Sequence, residues 1–162
     1  MEVDSFADIA EQFNDRVNRL VWCTVTTIDR KGRPRSRILH PVWEGSTGWI
    51  ATGRTSLKSK HIADNPYVSV TYFDLPAGNP LGQQQIYAEC KAEWDDDPAE
   101  KQRVWDLIKN APPPVGYDPA MFFQSVDNPE FGALKLTPWR VELSALSDLM
   151  TGAEPKIWRQ DV

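Results

Sequence analysis

The stretch "LVWCTVTTIDRKGRPRSRILHPVWEGSTGWIATG", residues 20–53, alternates runs of β-branched and aromatic residues with turn-forming ones. "LVWCTVTTI" has strand chemistry, "DRKGRP" puts a glycine and a proline where a chain reverses, and "RSRILHPVW" returns to strand character, so these runs form a hairpin. A second turn at "EGSTG" leads into "WIAT", which predicts three strands in antiparallel succession. Connections this short carry no parallel crossovers, so the sheet is expected to be antiparallel.

Upstream, Phe6, Ile9, Ala10, Phe13, Val17 and Leu20 recur at helical spacing behind Asp4 or Ser5 as N-cap. Downstream, residues 56–65 lack alternation and read as a short helix that Pro66 stops. "YVSVTYF" is a strand, "DLPAGNPLG" a loop, and "QQQIYAECKAEW" a strand. "DDDPAEKQRVWDLIKN" is a helix capped by Asp97 with Pro98 in its first turn. "APPPVGYDPAMFFQ" is an irregular connection, "FGALKLTPWRVELSAL" is strand again, and "PKIWRQDV" is a short strand or tail. The expected fold class is mainly β with peripheral helices, an antiparallel small closed or split β-barrel formed by one domain over residues 1–162.

Composition bounds the rest. The 162 residues bury a core without staples, and 41% hydrophobic with 25% charged residues is ordinary for a folded soluble chain. Net charge is -5 and the pI is about 5.0, which argues against bulk nucleic-acid binding. The acidic, amphipathic start resembles neither a signal peptide nor a membrane span, and Cys23 and Cys90 lack CxxC spacing, so they read as buried reduced thiols of a cytoplasmic protein.

The chemistry concentrates in "WIATGRTSLKSKHIADNP", residues 49–66. A helix starting near Ser56 aims free amides at the strand end, where Thr52, Thr55 and Ser56 add donors, Gly53 permits close approach and Lys58 adds a charge. Arg37 on the preceding strand supplies a fork for two phosphate oxygens. The plainer reading makes Ser56 an N-cap and Arg54, Lys58 and Lys60 a solvated face; composition alone does not separate the two.

"GRPRSRIL", "WIATGRTSLK" and "NPYVSVTYF", in this order and spacing, resemble the pyridoxamine 5′-phosphate oxidase-like family of flavin-binding split barrels, including its small general-stress-protein members. The resemblance implies that Arg37, Thr52, Ser56 and Lys58 hold the phosphate and ribityl chain of a flavin, and it adds Ile38 and Leu39 to that cofactor site. It further implies a homodimer, with Trp139 and Trp158 as candidates for stacking on a ring cofactor, because the family often draws cofactor contacts from the partner subunit's later segments. FMN is the implied cofactor, with the deazaflavin F420 as alternative, and the implied activity is hydride transfer to or from a small organic substrate. The other reading is a non-catalytic module that binds or sequesters flavin or haem. The chain departs from genuine pyridoxamine phosphate oxidases at Leu57, where they carry arginine, at Ala51, where they carry an aromatic, and in "PKIWRQDV", which lacks their substrate-phosphate segment. Lys58, in the first helical turn, is expected to be exposed, so Lys58→Ala should weaken cofactor binding without unfolding the chain.

His40 and His61 stand alone without metal-ligand spacing, and no metal is expected. His40 shares its strand with Arg37, which leaves a substrate contact open. Asp95 to Asp97 read as helix capping, and "DRKGRPRSR" as a charged turn without the aromatics of a nucleic-acid patch.

Overall fold

A computed structural model describes residues 1–74 and 80–160 of the chain. A two-residue strand, β1 (Glu2–Val3), precedes the helix α1 (Ala7–Leu20). The N-cap is Phe6, without a side-chain cap, rather than the expected Asp4 or Ser5; just before it the Ser5 hydroxyl accepts from the Ala7 amide at 3.2 Å, and the Ser5 amide donates to the Asp8 carboxylate at 3.0 Å. Ile9, Phe13 and Val17, four residues apart, turn one face of α1 into the core. Arg16 ties the same helix to the sheet by donating to the Gln85 and Ser144 carbonyls at 2.8 Å each.

Next come β2 (Cys23–Ile28) and β3 (Pro34–Leu39), paired antiparallel from Cys23 opposite Leu39 to Ile28 opposite Pro34. Asp29 closes their turn by accepting the Lys31 and Arg33 amides, with Gly32 at a φ of 73°. The Arg33 guanidinium, helped by these amides, holds the Asp29 pKa down to about 2. The single strand expected over "RSRILHPVW" breaks at Pro41, which has no N–H to continue a ladder. Its remainder is β4 (Val42–Glu44), paired with β5 (Thr47–Gly53).

The short helix follows as α2 (Leu57–Asp64), then β6 (Tyr67–Phe73), a 3-10 turn (Pro80–Gly82) and β7 (Gln84–Asp95). Residues 75–79 of the expected "DLPAGNPLG" loop lie outside the described residues, as do the last two residues of "PKIWRQDV". The helix α3 (Pro98–Asn110) starts as expected, the Asp97 carboxylate accepting from the Glu100 amide at 3.0 Å. The connection beyond it holds one turn of helix, α4 (Ala120–Phe123). The long β8 (Phe131–Ala145), α5 (Leu146–Thr151) and β9 (Lys156–Arg159) complete the described chain. β1 and α5 are too short to leave a periodic signal in the sequence.

Strands β3, β2, β6, β7 and β8 pair in that order, all antiparallel. One edge of β8 pairs with β7; its other edge forks, the first half taking β5 and the second taking β9. The expected three-strand succession is therefore corrected: β5 leaves the β2–β3 hairpin and pairs with β8, Gly48 opposite Leu136 through Gly53 opposite Phe131. No pairing joins β3 to β5 among the described residues, so the sheet is open rather than a closed barrel. β1 lies parallel to β9.

Under α1, the inward residues of β2, β6, β7 and β8 form the main core around Phe13, Val25, Val70, Ile86 and Leu134. A second core, under α3, joins Trp49, Val104, Ile108 and Ala133. Cys23 and Cys90 are free and buried, and burial raises both thiol pKa values, that of Cys23 to about 12. Such thiols are unreactive. Among the described residues no helix is long and apolar enough to cross a membrane.

Candidate functional site

Ser56 precedes α2 in extended geometry, but its side chain caps no helix amide. Its hydroxyl instead accepts from Lys58 Nζ at 2.8 Å. The expectation that Lys58 is exposed fails: only 8% of it is accessible, while Leu57 is 55% exposed. Helical spacing explains the reversal, since Lys58, His61 and Ile62 share one face that turns inward.

Arg37, half-buried on β3, donates from Nη1 to the Thr27 hydroxyl at 2.9 Å. Thr27 is fully buried, and its Oγ1 lies 2.9 Å from His61 Nδ1. With Arg37 as donor to its oxygen, the Thr27 hydroxyl has both His61 Nδ1 and, at 3.5 Å, the Arg35 carbonyl as partners, so residues of β2, β3 and α2 meet at this hydroxyl. Thr27 lies on the inward face with Cys23 and Val25, and a hydroxyl buried there needs partners, which is the signal in the sequence that points to it.

Neither Arg37 nor Lys58 has a carboxylate within 4 Å among the described residues. Burial lowers the pKa of Lys58, and the Arg37 charge lowers it further; burial and then Arg35 lower that of Arg37. Two buried or half-buried like charges without counter-charge leave a place for an anion. Of the other charged or hydroxyl side chains in residues 49–66, Thr55 is the one expected in the cradle, and Arg54 and Lys60 are those expected on a solvated face. Arg54 forms a two-pronged pair with Asp96 at 2.8 and 2.7 Å, and the Thr55 hydroxyl donates to Glu130 at 2.6 Å. Lys60 is exposed.

Thr52, 7% exposed, and Gly53 end β5 at the wall of a cavity of about 480 Å³, which Ile38 and Leu39 also line. Gly53 joins the two regions, because a Cβ on it would lie 3.6 Å from the Ser56 Cβ. Ile38, Leu39 and Thr52 thus share the cavity wall, while Ser56, Lys58 and Arg37 form a separate group. Trp139 and Trp158 do not join them: Trp158 packs in the core with its ring 5.2 Å from Phe6, and Trp139 is half-buried on β8 with Nε1 unpaired. Trp158 is therefore closed to a ring ligand.

The rest of the cavity wall mixes aliphatic residues with five rings, those of Trp22, His40, Tyr117, Phe122 and Phe123. His40 stands between Trp22 and Tyr117 with ring centroids at 5.0 Å on each side, and Phe122 lies 6.0 Å beyond Tyr117. Burial lowers the His40 pKa, a backbone hydrogen bond with Val115 opposing, and Nε2 is buried without a partner. Val21, before Trp22, has φ 61° and ψ -58°, a strained turn for a β-branched residue. This strain accompanies the presentation of Trp22, 60% exposed, over His40.

Tyr117 comes from a segment that the Ile108 carbonyl anchors at 3.2 Å. Gly116 lets that segment pass, since a Cβ there would lie 1.8 Å from the Ala111 carbonyl oxygen. Gly116→Ala is expected to cost about 1–3 kcal/mol of stability, read as a lowered denaturation midpoint; an unchanged midpoint contradicts this packing. These wall residues sit far apart in sequence, and only His40 carried a hint through its place beside Arg37.

A family model described as pyridoxamine 5′-phosphate oxidase matches residues 9–145. The chain belongs to this family. Among solved structures of the pyridoxamine 5′-phosphate oxidase fold, one from Clostridium acetobutylicum, related to general stress protein 26 of B. subtilis, is 15% identical with a TM-score of 0.70, covering 94% of each chain. General stress protein 26 of Bacillus anthracis is 20% identical with a TM-score of 0.63, covering 83% of this chain and 92% of that one. The haem storage protein HutZ of Vibrio cholerae is 13% identical with a TM-score of 0.64, over 80% and 89%. At these identities the likeness speaks for the fold alone. A search of curated proteins finds no match.

Proposed function

We propose that the protein is a flavin- or deazaflavin-dependent oxidoreductase that transfers hydride to or from a small organic substrate. The observation that carries this reading is the pair of unbalanced cations, Arg37 and Lys58, gathered beside Ser56 and opening through Gly53 onto a neutral aromatic cavity. FMN and the deazaflavin F420 both carry a phosphate suited to those cations and a ring suited to that cavity. Arg37, Ser56 and Lys58 would hold the phosphate, Thr52 the adjoining chain, and Ile38 and Leu39 would flank the ring. The hydride chemistry would come from the bound ring, leaving this chain to orient a substrate and exclude water. The departures at Ala51 and Leu57 and in the C-terminal segment speak against pyridoxamine phosphate as substrate.

A homodimer of split barrels fits the sheet. Ile38, Thr24, Thr71 and Tyr87 stand in one row across β3, β2, β6 and β7, with Tyr67 and Phe73 also exposed on β6. This face is opposite α1, and Ile38, 62% exposed, belongs both to it and to the cavity. A second copy on the face would lie next to the site.

The test is the visible absorption and mass spectrum of the cofactor released from protein purified from its native host, since a host without the deazaflavin would load the wrong group. FMN or F420 supports the reading. Haem turns it toward the non-catalytic storage reading, and release of no cofactor contradicts both.

A further inference from the structure

The cavity beside the cation pair has a chemistry of its own. Among the described residues its wall holds no Asp, Glu, Lys or Arg, and burial keeps His40, the one basic side chain among them, toward the neutral form. Trp22, His40, Tyr117 and Phe122 follow one another as a run of rings, a surface suited to flat molecules. A charged ligand would lose its hydration here without meeting a counter-charge, whereas an apolar ring gains by leaving water.

Two ring polar groups in this wall have no hydrogen-bond partner among the described residues: His40 Nε2, which as a neutral imidazole nitrogen can accept, and the Tyr117 hydroxyl, which can donate. Burial pushes the pKa of Tyr117 up to about 12. A phenol that keeps its proton at neutral pH and has no partner in the chain is a donor waiting for an acceptor.

We propose that this cavity binds an uncharged, planar, conjugated carbonyl compound, its rings against the aromatic wall and its carbonyl oxygen accepting a hydrogen bond from the Tyr117 hydroxyl. As a statement of substrate class this rests on the oxidoreductase reading; as a statement about binding it does not. The same chemistry belongs to a free substrate and to the ring of a flavin, so the test separates these two sources.

Calorimetric titrations compare 2,3-dimethyl-1,4-naphthoquinone, whose substituted ring resists thiol addition, with 2,3-dimethylnaphthalene and the anion 2-naphthoate. The quinone is expected to bind roughly fivefold tighter than the hydrocarbon, the usual range for one neutral hydrogen bond, and 2-naphthoate the weakest of the three. Tyr117→Phe, which keeps the ring, should abolish the advantage of the quinone and leave the hydrocarbon unchanged. Repeating the titration with saturating FMN identifies the source: retained binding assigns the cavity to a separate substrate, and competition assigns it to the cofactor ring. Equal affinities for quinone and hydrocarbon, an advantage that survives in Tyr117→Phe, or binding of neither compound overturns the proposal. Failure of the cofactor reading shows differently, as an absence of FMN binding while the naphthoquinone result stands.

Discussion

Lys58→Met is expected to weaken FMN binding roughly thirtyfold while leaving the protein as stable as before, or more so. The loss follows from removing one charge-assisted hydrogen bond to phosphate, worth about 2 kcal/mol in a half-buried setting. The gain in the free protein has a separate cause. Lys58 is buried, its partner is the neutral Ser56 hydroxyl, and burial and Arg37 both work against its charge. Methionine keeps the stem and removes the charge that has no counter-ion, a change that often stabilises. Calorimetry gives the affinity and a denaturant midpoint the stability. A variant that binds FMN normally removes Lys58 from the site. One that loses stability shows that the ammonium helps to hold α2 in place.

Phe13→Ala should produce the largest loss of stability, about 3–5 kcal/mol. Phe13 is fully buried on α1, edge-on to Trp43 at 4.9 Å and to Phe6 at 5.4 Å, and Trp43 Nε1 donates to the Tyr72 hydroxyl at 2.9 Å. Truncation leaves a cavity where the helix meets the sheet, and the surrounding rings are too constrained to fill it. Against the 5–15 kcal/mol typical of a domain, roughly a fifth or more of the stability would go. The denaturant midpoint should fall with an unchanged slope; a loss below about 1 kcal/mol would mean that α1 does not depend on this contact.

How much of this was legible in the sequence depends on the range of the interaction. The α1 face, the Asp97 cap and the β2–β3 hairpin follow from residues within a few positions of one another, and each appears where the spacing places it. The pairing of β5 with β8 joins residues 78 to 88 positions apart, and nothing in "WIATG" distinguishes a β3 neighbour from a β8 neighbour. Within the proposed site, Thr52, Ser56 and Lys58 share one short stretch and Arg37 lies on the strand before it, so their grouping is legible in the sequence; that they hold a phosphate is the proposal. The burial of Lys58 does not follow from its place in the first turn; it follows from the face that Lys58 shares with Ile62. Tyr117 and Trp22 reach the cavity only through tertiary packing, and Trp158 was lost to the core because a tryptophan near the end of the chain looks the same in either place.

The central claim is that Arg37 and Lys58 are held without counter-charge in order to receive a phosphate. Its most direct test compares FMN with riboflavin, which has the same ring and ribityl chain and lacks only the phosphate, in binding to the apoprotein. The arrangement around Ser56 predicts that FMN binds at least about a hundredfold tighter, as expected for two charge-assisted contacts, with the preference falling as ionic strength rises. Equal affinities for FMN and riboflavin would contradict it.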